Sequence, residues 1–141
     1  HYVQQLRRLA EEIAPDRVTF GPAYPAMEIV QNIAKYDIGF FPIPPKNYNY
    51  LITLPNKLFE FIAAGLAVFI GPSPSMAEIV NEYHCGKVAT SFSPEVLAAE
   101  LNNTTAEQWD EMKRASFIAA HELNADNEMA KLLAIYETLF S

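Results

Sequence analysis

The sequence predicts an α/β domain: a Rossmann-like parallel sheet with flanking helices and a helical C-terminal end. Three observations carry that prediction. Asp37-Ile-Gly-Phe-Phe-Pro-Ile43 and Leu66-Ala-Val-Phe-Ile70 are short, almost continuous apolar runs, as in strands buried on both faces of a parallel sheet. Stretches with helical spacing separate the strand-like runs, so strand and helix alternate along the chain. The chain also has the bulk for a core, with 141 residues of which 50% are hydrophobic and 19% charged. A domain of that size buries roughly two thirds of its surface on folding.

Each element has its own warrant. His1 to Ala14 places Val3, Leu6, Leu9 and Ile13 at helical spacing, and Pro15 closes the segment. Arg17-Val-Thr-Phe20 reads as a short strand ended by Gly21-Pro22. Pro25 suits a first helical position, and Ile29, Val30, Ile33 and Ala34 form an apolar stripe up to Tyr36. After strand 37–43, residues 44–54 read as a loop holding Lys46, Asn47, Asn49 and Thr53 together with Tyr48 and Tyr50. Pro55 opens a helix through Ala64, Gly65 closes it, and 66–70 is the next strand. Ser75-Met-Ala-Glu78 fits a capping box for a helix to about Tyr83. Gly86-Lys-Val-Ala-Thr90 is a weaker strand, and Ser93-Pro94 starts another helix. Thr104 to Glu107 can cap the following one. Met129, Leu132, Leu133, Tyr136 and Phe140 give the last helix a wide apolar face. Four strands are expected, in one domain over 1–141 whose residues 105–141 are C-terminal helices. There is no internal repeat and no low-complexity linker.

Composition narrows the partners. Seventeen acids against ten bases give a net charge of −7, which disfavours nucleic acid or an anionic membrane as the main partner. The acidity is uneven. Residues 93–141 hold nine acids against Lys113, Arg114 and Lys131, which leaves residues 1–92 at −1. An anion site is therefore expected in the first two thirds, the acidic end reading as solvated helix faces. No apolar run reaches the ~20 residues of a transmembrane helix, and no signal peptide precedes the first helix. Cys85 is alone, which favours a reducing, cytoplasmic compartment.

Ligands of open parallel sheets bind at the carboxyl ends of strands. Three loops qualify: Gly21 to Tyr24, Pro42 to Asn56, and Gly71 to Ser75. The middle one ends where a helix begins at Pro55-Asn56-Lys57. Free N–H groups, the partial positive charge of a helix start and the Lys57 ammonium would together stabilise a phosphate. Glu60 follows within Leu58-Phe-Glu-Phe-Ile62. An acid among large apolar residues is paired, exposed at an edge, or facing a ligand. A carboxylate can take two vicinal hydroxyls, as in ribose. The plainer alternative is an i, i+3 pair of Lys57 with Glu60, worth ~0.2–0.5 kcal/mol. His1, His84 and His121 lack ligand spacing, so no metal is expected. Ser73 and Ser75 read as turn and cap residues, and Cys85 as a small apolar residue at a helix end. Tyr48 and Tyr50 read equally as loop packing or as a sugar platform. Gly-x-Gly-x-x-Gly, Walker and Gly-x-Ser-x-Gly patterns are absent.

Taken in order, Asp37-Ile-Gly-Phe-Phe-Pro42, Leu54-Pro-Asn-Lys-Leu-Phe-Glu-Phe-Ile-Ala-Ala-Gly-Leu-Ala-Val68, Ala77-Glu-Ile-Val80 and Gly86 closely resemble the donor-binding domain of GT-B glycosyltransferases, nearest to the family-four group. The resemblance spans nearly the whole chain, including Val18-Thr-Phe-Gly21 and the closing helices. It implies a nucleotide-sugar donor as substrate, with neither metal nor other cofactor. It implies that Glu60 binds the donor ribose. Lys57 and the backbone from Thr53 to Asn56 would face the diphosphate and sugar, and the loop Gly21, Pro22, Ala23 and Tyr24 would contact the base. It assigns no catalytic residue.

Two positions depart from the family pattern. Ile52 stands where the first of two paired glutamates belongs, and Ala67 stands where proline is usual. Such a domain also begins with two further strands and a helix, behind an N-terminal acceptor-binding domain. The chain thus resembles the last two thirds of a donor domain, expected to be inactive alone. A sheet edge left open in this way invites a dimer. The alternative is a non-catalytic α/β interaction module that kept the fold and lost the chemistry. A flavodoxin-like signalling domain would want a cluster of acids at the first strand end, and none is there.

Overall fold

A computed structural model describes residues 2–140. Three parallel strands, β1 (Ile38–Phe41), β2 (Ala67–Ile70) and β3 (Gly86–Val88), form one sheet in that order. Ile38 lies opposite Ala67, and Val68 opposite Gly86. Helices α1 (Tyr2–Ile13) and α2 (Ile29–Ile33) precede β1, and α3 (Tyr48–Leu51) and α4 (Asn56–Ala63) follow it. Helix α5 (Pro74–Glu82) joins β2 to β3; α6 (Pro94–Asn103), α7 (Ala106–Ala120) and α8 (Ala125–Phe140) complete the chain. This is an α/β fold of the Rossmann-like kind; the strands expected in 37–43, 66–70 and 86–90 are contiguous in one parallel sheet but shorter, β1 ending at Phe41 and β3 at Val88. The expected helix start at His1 and the Phe140 side chain lie outside the described residues. None of the described helices is long and apolar enough to cross a membrane.

The core has two sides. Leu58 and Ile62 of α4 and Met76 and Val80 of α5 cover Val68 and Ile70 on one face of the sheet. Both crossovers thus lie on the same face, as two connections of one hand require. On the other face Ala67, Phe69, Ala89, Leu97 and Trp109 form a second cluster. Phe69 stacks on Phe40 at 5.4 Å and meets the Trp109 ring edge-on at 5.9 Å. Helix α7 closes the amino ends of the strands. Its buried Ser116 hydroxyl donates to the Leu66 carbonyl at 2.6 Å and lies 3.1 Å from that of Cys85. Cys85 is enclosed where the chain enters β3, and burial pushes its thiol up to about 11.

Several expectations need correction. Arg17–Phe20 is extended but forms no strand, so the sheet has three strands among the described residues. Its β-favouring residues have no neighbouring edge to bond to, and propensity alone does not create a ladder. Arg7 instead lies 5.0 Å above the Phe20 ring. Strand β1 is not buried on both faces. It is an edge strand with Gly39 enclosed and Phe40 49% exposed. The outward N–H and C=O groups of such an edge have no strand partner. The 44–54 loop contains a helical turn, α3, because the Asn47 side chain accepts from the Tyr50 amide at 3.0 Å. Pro25 precedes a 3-10 turn (Ala26–Glu28), and α2 ends at Ile33 rather than Tyr36.

The capping motifs also move. Helix α5 begins at Pro74 with Ser73 before it, so Ser75 lies inside the first turn and the Ser75–Glu78 box does not form. A proline in the first turn comes with its φ already helical, which favours this earlier start. Thr104–Glu107 gives way to the overlapping box Thr105–Gln108, in which each side chain bonds the other residue's amide. Thr104 is engaged elsewhere: its hydroxyl donates to the Glu100 carbonyl at 2.8 Å and accepts from Lys87 at 3.0 Å. In the last helix Met129, Leu132, Leu133 and Tyr136 make the apolar face anticipated, and it is exposed.

Candidate functional site

The best-supplied of the three loops runs from the carboxyl end of β1 to the start of α4. Pro55 is extended (φ −75°, ψ 150°) and caps the helix without a side-chain bond; Leu58 N–H donates to its carbonyl at 3.0 Å. The amides of Asn56 and Lys57 are the first of the helix and have no acceptor within it. The Leu58 and Ile62 side chains, each 1% exposed, anchor α4 on the sheet. Asn56 and Lys57 are then exposed and Glu60 is half-buried. At the far end Gly65 takes φ +70°, the left-handed turn that returns the chain to β2.

Lys57 and Glu60 do not pair. The ion pairs among the described residues are Lys113–Asp37 and Lys131–Glu128, each at 2.7 Å. The ammonium and the carboxylate therefore both stay available one turn apart, and the simple helix pair is not what occupies them. Beside them is a cleft of 220 Å³ lined by Ile43, Asn49, Tyr50, Thr53 and Pro55. Of the segment 53–56 assigned from the sequence, Thr53 and Pro55 line it, and so does Tyr50, which the sequence left open between loop packing and a sugar platform. Asn49 and Tyr50 reach the cleft because α3 folds the loop back, and the signal for that was Asn47 three residues before Tyr50, an N-cap in disguise.

The other assigned loop is separate. Gly21, Pro22, Ala23 and Tyr24 lead from the extended segment 17–20 into the 3-10 turn. None of them lines this cleft, and no hydrogen bond joins them to 53–60 among the described residues. Helix α2, which follows them, packs against α4. The third loop is closed. The Phe92 ring fills the space a side chain at Gly71 would take, and the Ser73 hydroxyl is buried without a partner.

Both departures have a structural setting. Ile52 follows α3 and is exposed. Ala67 donates its amide to the Asp37 carbonyl at 3.0 Å, a bond that proline would forfeit. Compared with protein-family models, curated proteins and solved structures, the chain matches none of them. The reading of the site therefore rests on its own chemistry. A half-buried carboxylate with no partner contributes little to folding. Glu60→Ala is expected to change stability by no more than about 1 kcal/mol in urea melts. A loss of about 3–5 kcal/mol, the cost of breaking a buried pair, would make Glu60 structural instead.

Proposed function

We propose that this chain is the nucleotide-sugar-binding part of a glycosyltransferase with a GT-B donor domain. One observation carries the reading: Lys57 and Glu60 stand unpaired on the first two turns of a helix that starts at the carboxyl side of a parallel sheet. A helix start with a free lysine suits a diphosphate, and a free carboxylate one turn on suits a pair of ribose hydroxyls. In transfer, the bond from the sugar's anomeric carbon to the diphosphate oxygen breaks, an acceptor hydroxyl's oxygen bonds that carbon, and the hydroxyl's proton passes to the departing diphosphate. Lys57 and the first amides of α4 would stabilise the charge left on the diphosphate. The acceptor would be held by a separate acceptor-binding domain. Positioning the acceptor supplies much of the rate, so the chain alone should bind donor without transferring sugar.

A titration with uridine, guanosine and adenosine diphosphates tests this. At least one is expected to bind weakly, and more weakly as salt rises. Lys57→Ala and Glu60→Ala should each weaken binding by roughly tenfold or more, the value of a charged hydrogen bond. Equal affinity in all three proteins, or none at millimolar ligand, would refute the donor site. A second reading, a non-catalytic interaction module, draws on Ile52 in place of an acid and on the uncovered edge of β1. It predicts no nucleotide binding in the same titration.

A further inference from the structure

We propose that the cleft between α7 and the turn from α5 into β3 binds a small primary ammonium ion, with Glu111, Asn81 and His84 as its acceptors. The cleft lies at the amino end of β3, whereas the donor loops lie at the carboxyl ends of the strands. The two sites stand or fall separately.

The cleft measures 350 Å³, in the size range of pockets for whole small ligands, which join an apolar lining to a few polar groups. The buried Val80 and the half-buried Met112 and Ala115 give it apolar surface. Polar groups reach it from both sides. Asn81 and His84 come from the end of α5 and the turn after it, Gln108 and Glu111 from one face of α7. Gln108 is engaged already, since its Oε1 accepts from the Thr105 amide at 2.9 Å. The Asn81, His84 and Glu111 side chains have no hydrogen bond or ion pair among the described residues. They offer a carbonyl oxygen, an unprotonated ring nitrogen and a carboxylate.

Three acceptors lining one cleft match the three N–H donors of a primary ammonium. Charge selects the same ligand. Glu111 is the one carboxylate in the lining, and neither lysine nor arginine lines the cleft. The surrounding chain is acidic, with nine acids against three bases in 93–141. Such a field gathers cations and turns anions away. The backbone marks the same place. His84 takes φ +52° one residue beyond the Tyr83 cap of α5. Glycine is usual there, because a side chain is strained in that conformation. Strained residues gather at functional sites, and here the strained residue lines the cleft.

The test titrates the full chain at about pH 8, where imidazoles are neutral and alkylamines charged, and follows the backbone amides by NMR. n-Butylammonium should bind saturably at about 1–10 mM, the strength open to so small a ligand. It should shift the amides of 80–86 and 108–115. n-Butanol keeps the apolar body and lacks the charge; butyltrimethylammonium keeps the charge and lacks the N–H donors. Each should bind about tenfold more weakly, the worth of a charged hydrogen bond, and Glu111→Gln should lose as much. Asn81→Ala and His84→Gly should each weaken binding about threefold, as for a neutral hydrogen bond. His84→Gly should also raise the melting temperature, because glycine is unstrained at that position. No shift in those two segments at about 50 mM butylammonium would overturn the inference. So would either control binding as tightly as butylammonium, or full affinity in Glu111→Gln. Full affinity in His84→Gly, with the melting temperature raised, would show that the histidine serves the turn alone and would overturn it too.

Discussion

Phe69→Ala is expected to lower stability by about 3–5 kcal/mol, the range for truncating a large buried aromatic. Phe69 is in the middle strand and is fully buried. On one side it stacks on Phe40, on the other it meets Trp109, and Ala67, Ala89 and Leu97 complete the cluster. Removing the ring leaves a hole that backbone-fixed strands cannot collapse into, so the cavity cost adds to the lost burial. Phe40 and Trp109 would also lose their shared neighbour. Urea melts with the slope held constant read the difference directly. A loss below about 1 kcal/mol would show that the second face of the sheet is loosely packed.

Gly86→Ala should cost nearly as much for the opposite reason. A Cβ at that position would lie 2.0 Å from the Val68 carbonyl oxygen and 2.8 Å from the Val68 Cβ. The obstacle is the backbone of the neighbouring strand, and no rotamer change moves it. Relief requires β3 to shift away from β2, in a strand of three residues whose one strand partner among the described residues is β2. Overpacking of this sort falls at the upper end of ~1–3 kcal/mol. Gly21→Ala is the control, since nothing lies within 4 Å of the added atom there. The same melts separate the two, and equal stability of both variants would place Gly86 in a roomier strand pairing than described.

What could be read from the sequence, and what could not, follows the range of the forces involved. Residues 66–70 were legible as a buried strand because a run of large apolar residues has few other uses. The helix at 56–63 was legible because Pro55 and Gly65 mark its ends by backbone geometry alone. Strand 17–20 was misread because a strand exists only with a neighbour, and the sequence of one segment does not tell which neighbour it has. Phe40 was misplaced for the same reason, since burial on both faces depends on what covers an edge. The caps failed by one or two residues where overlapping motifs competed: Thr104 and Thr105 both had a partner three residues on, and Lys87 decided between them from another element. In the candidate site, spacing put Lys57 and Glu60 one turn apart on α4 but pointed to an ion pair between them, which does not form. The cleft beside them was not legible, because it depends on a single side-chain bond from Asn47 folding the loop back.

The enclosure of Cys85 has a chemical consequence of its own. Its sulfur has no exposed surface and its thiol titrates at about 11. At neutral pH only on the order of one molecule in ten thousand carries the thiolate, and that form has no path to a reagent. Disulfide exchange and thiol oxidation both begin with an accessible thiolate, so Cys85 takes part in neither in the native molecule. The amide and carbonyl of the same residue are bonded to Val80 and Val68, which ties release of the sulfur to detachment of β3 from β2. Having a single cysteine thus says less about the chain's surroundings than its count suggests. The thiol is inert in the folded protein, and it reacts only after the sheet has opened.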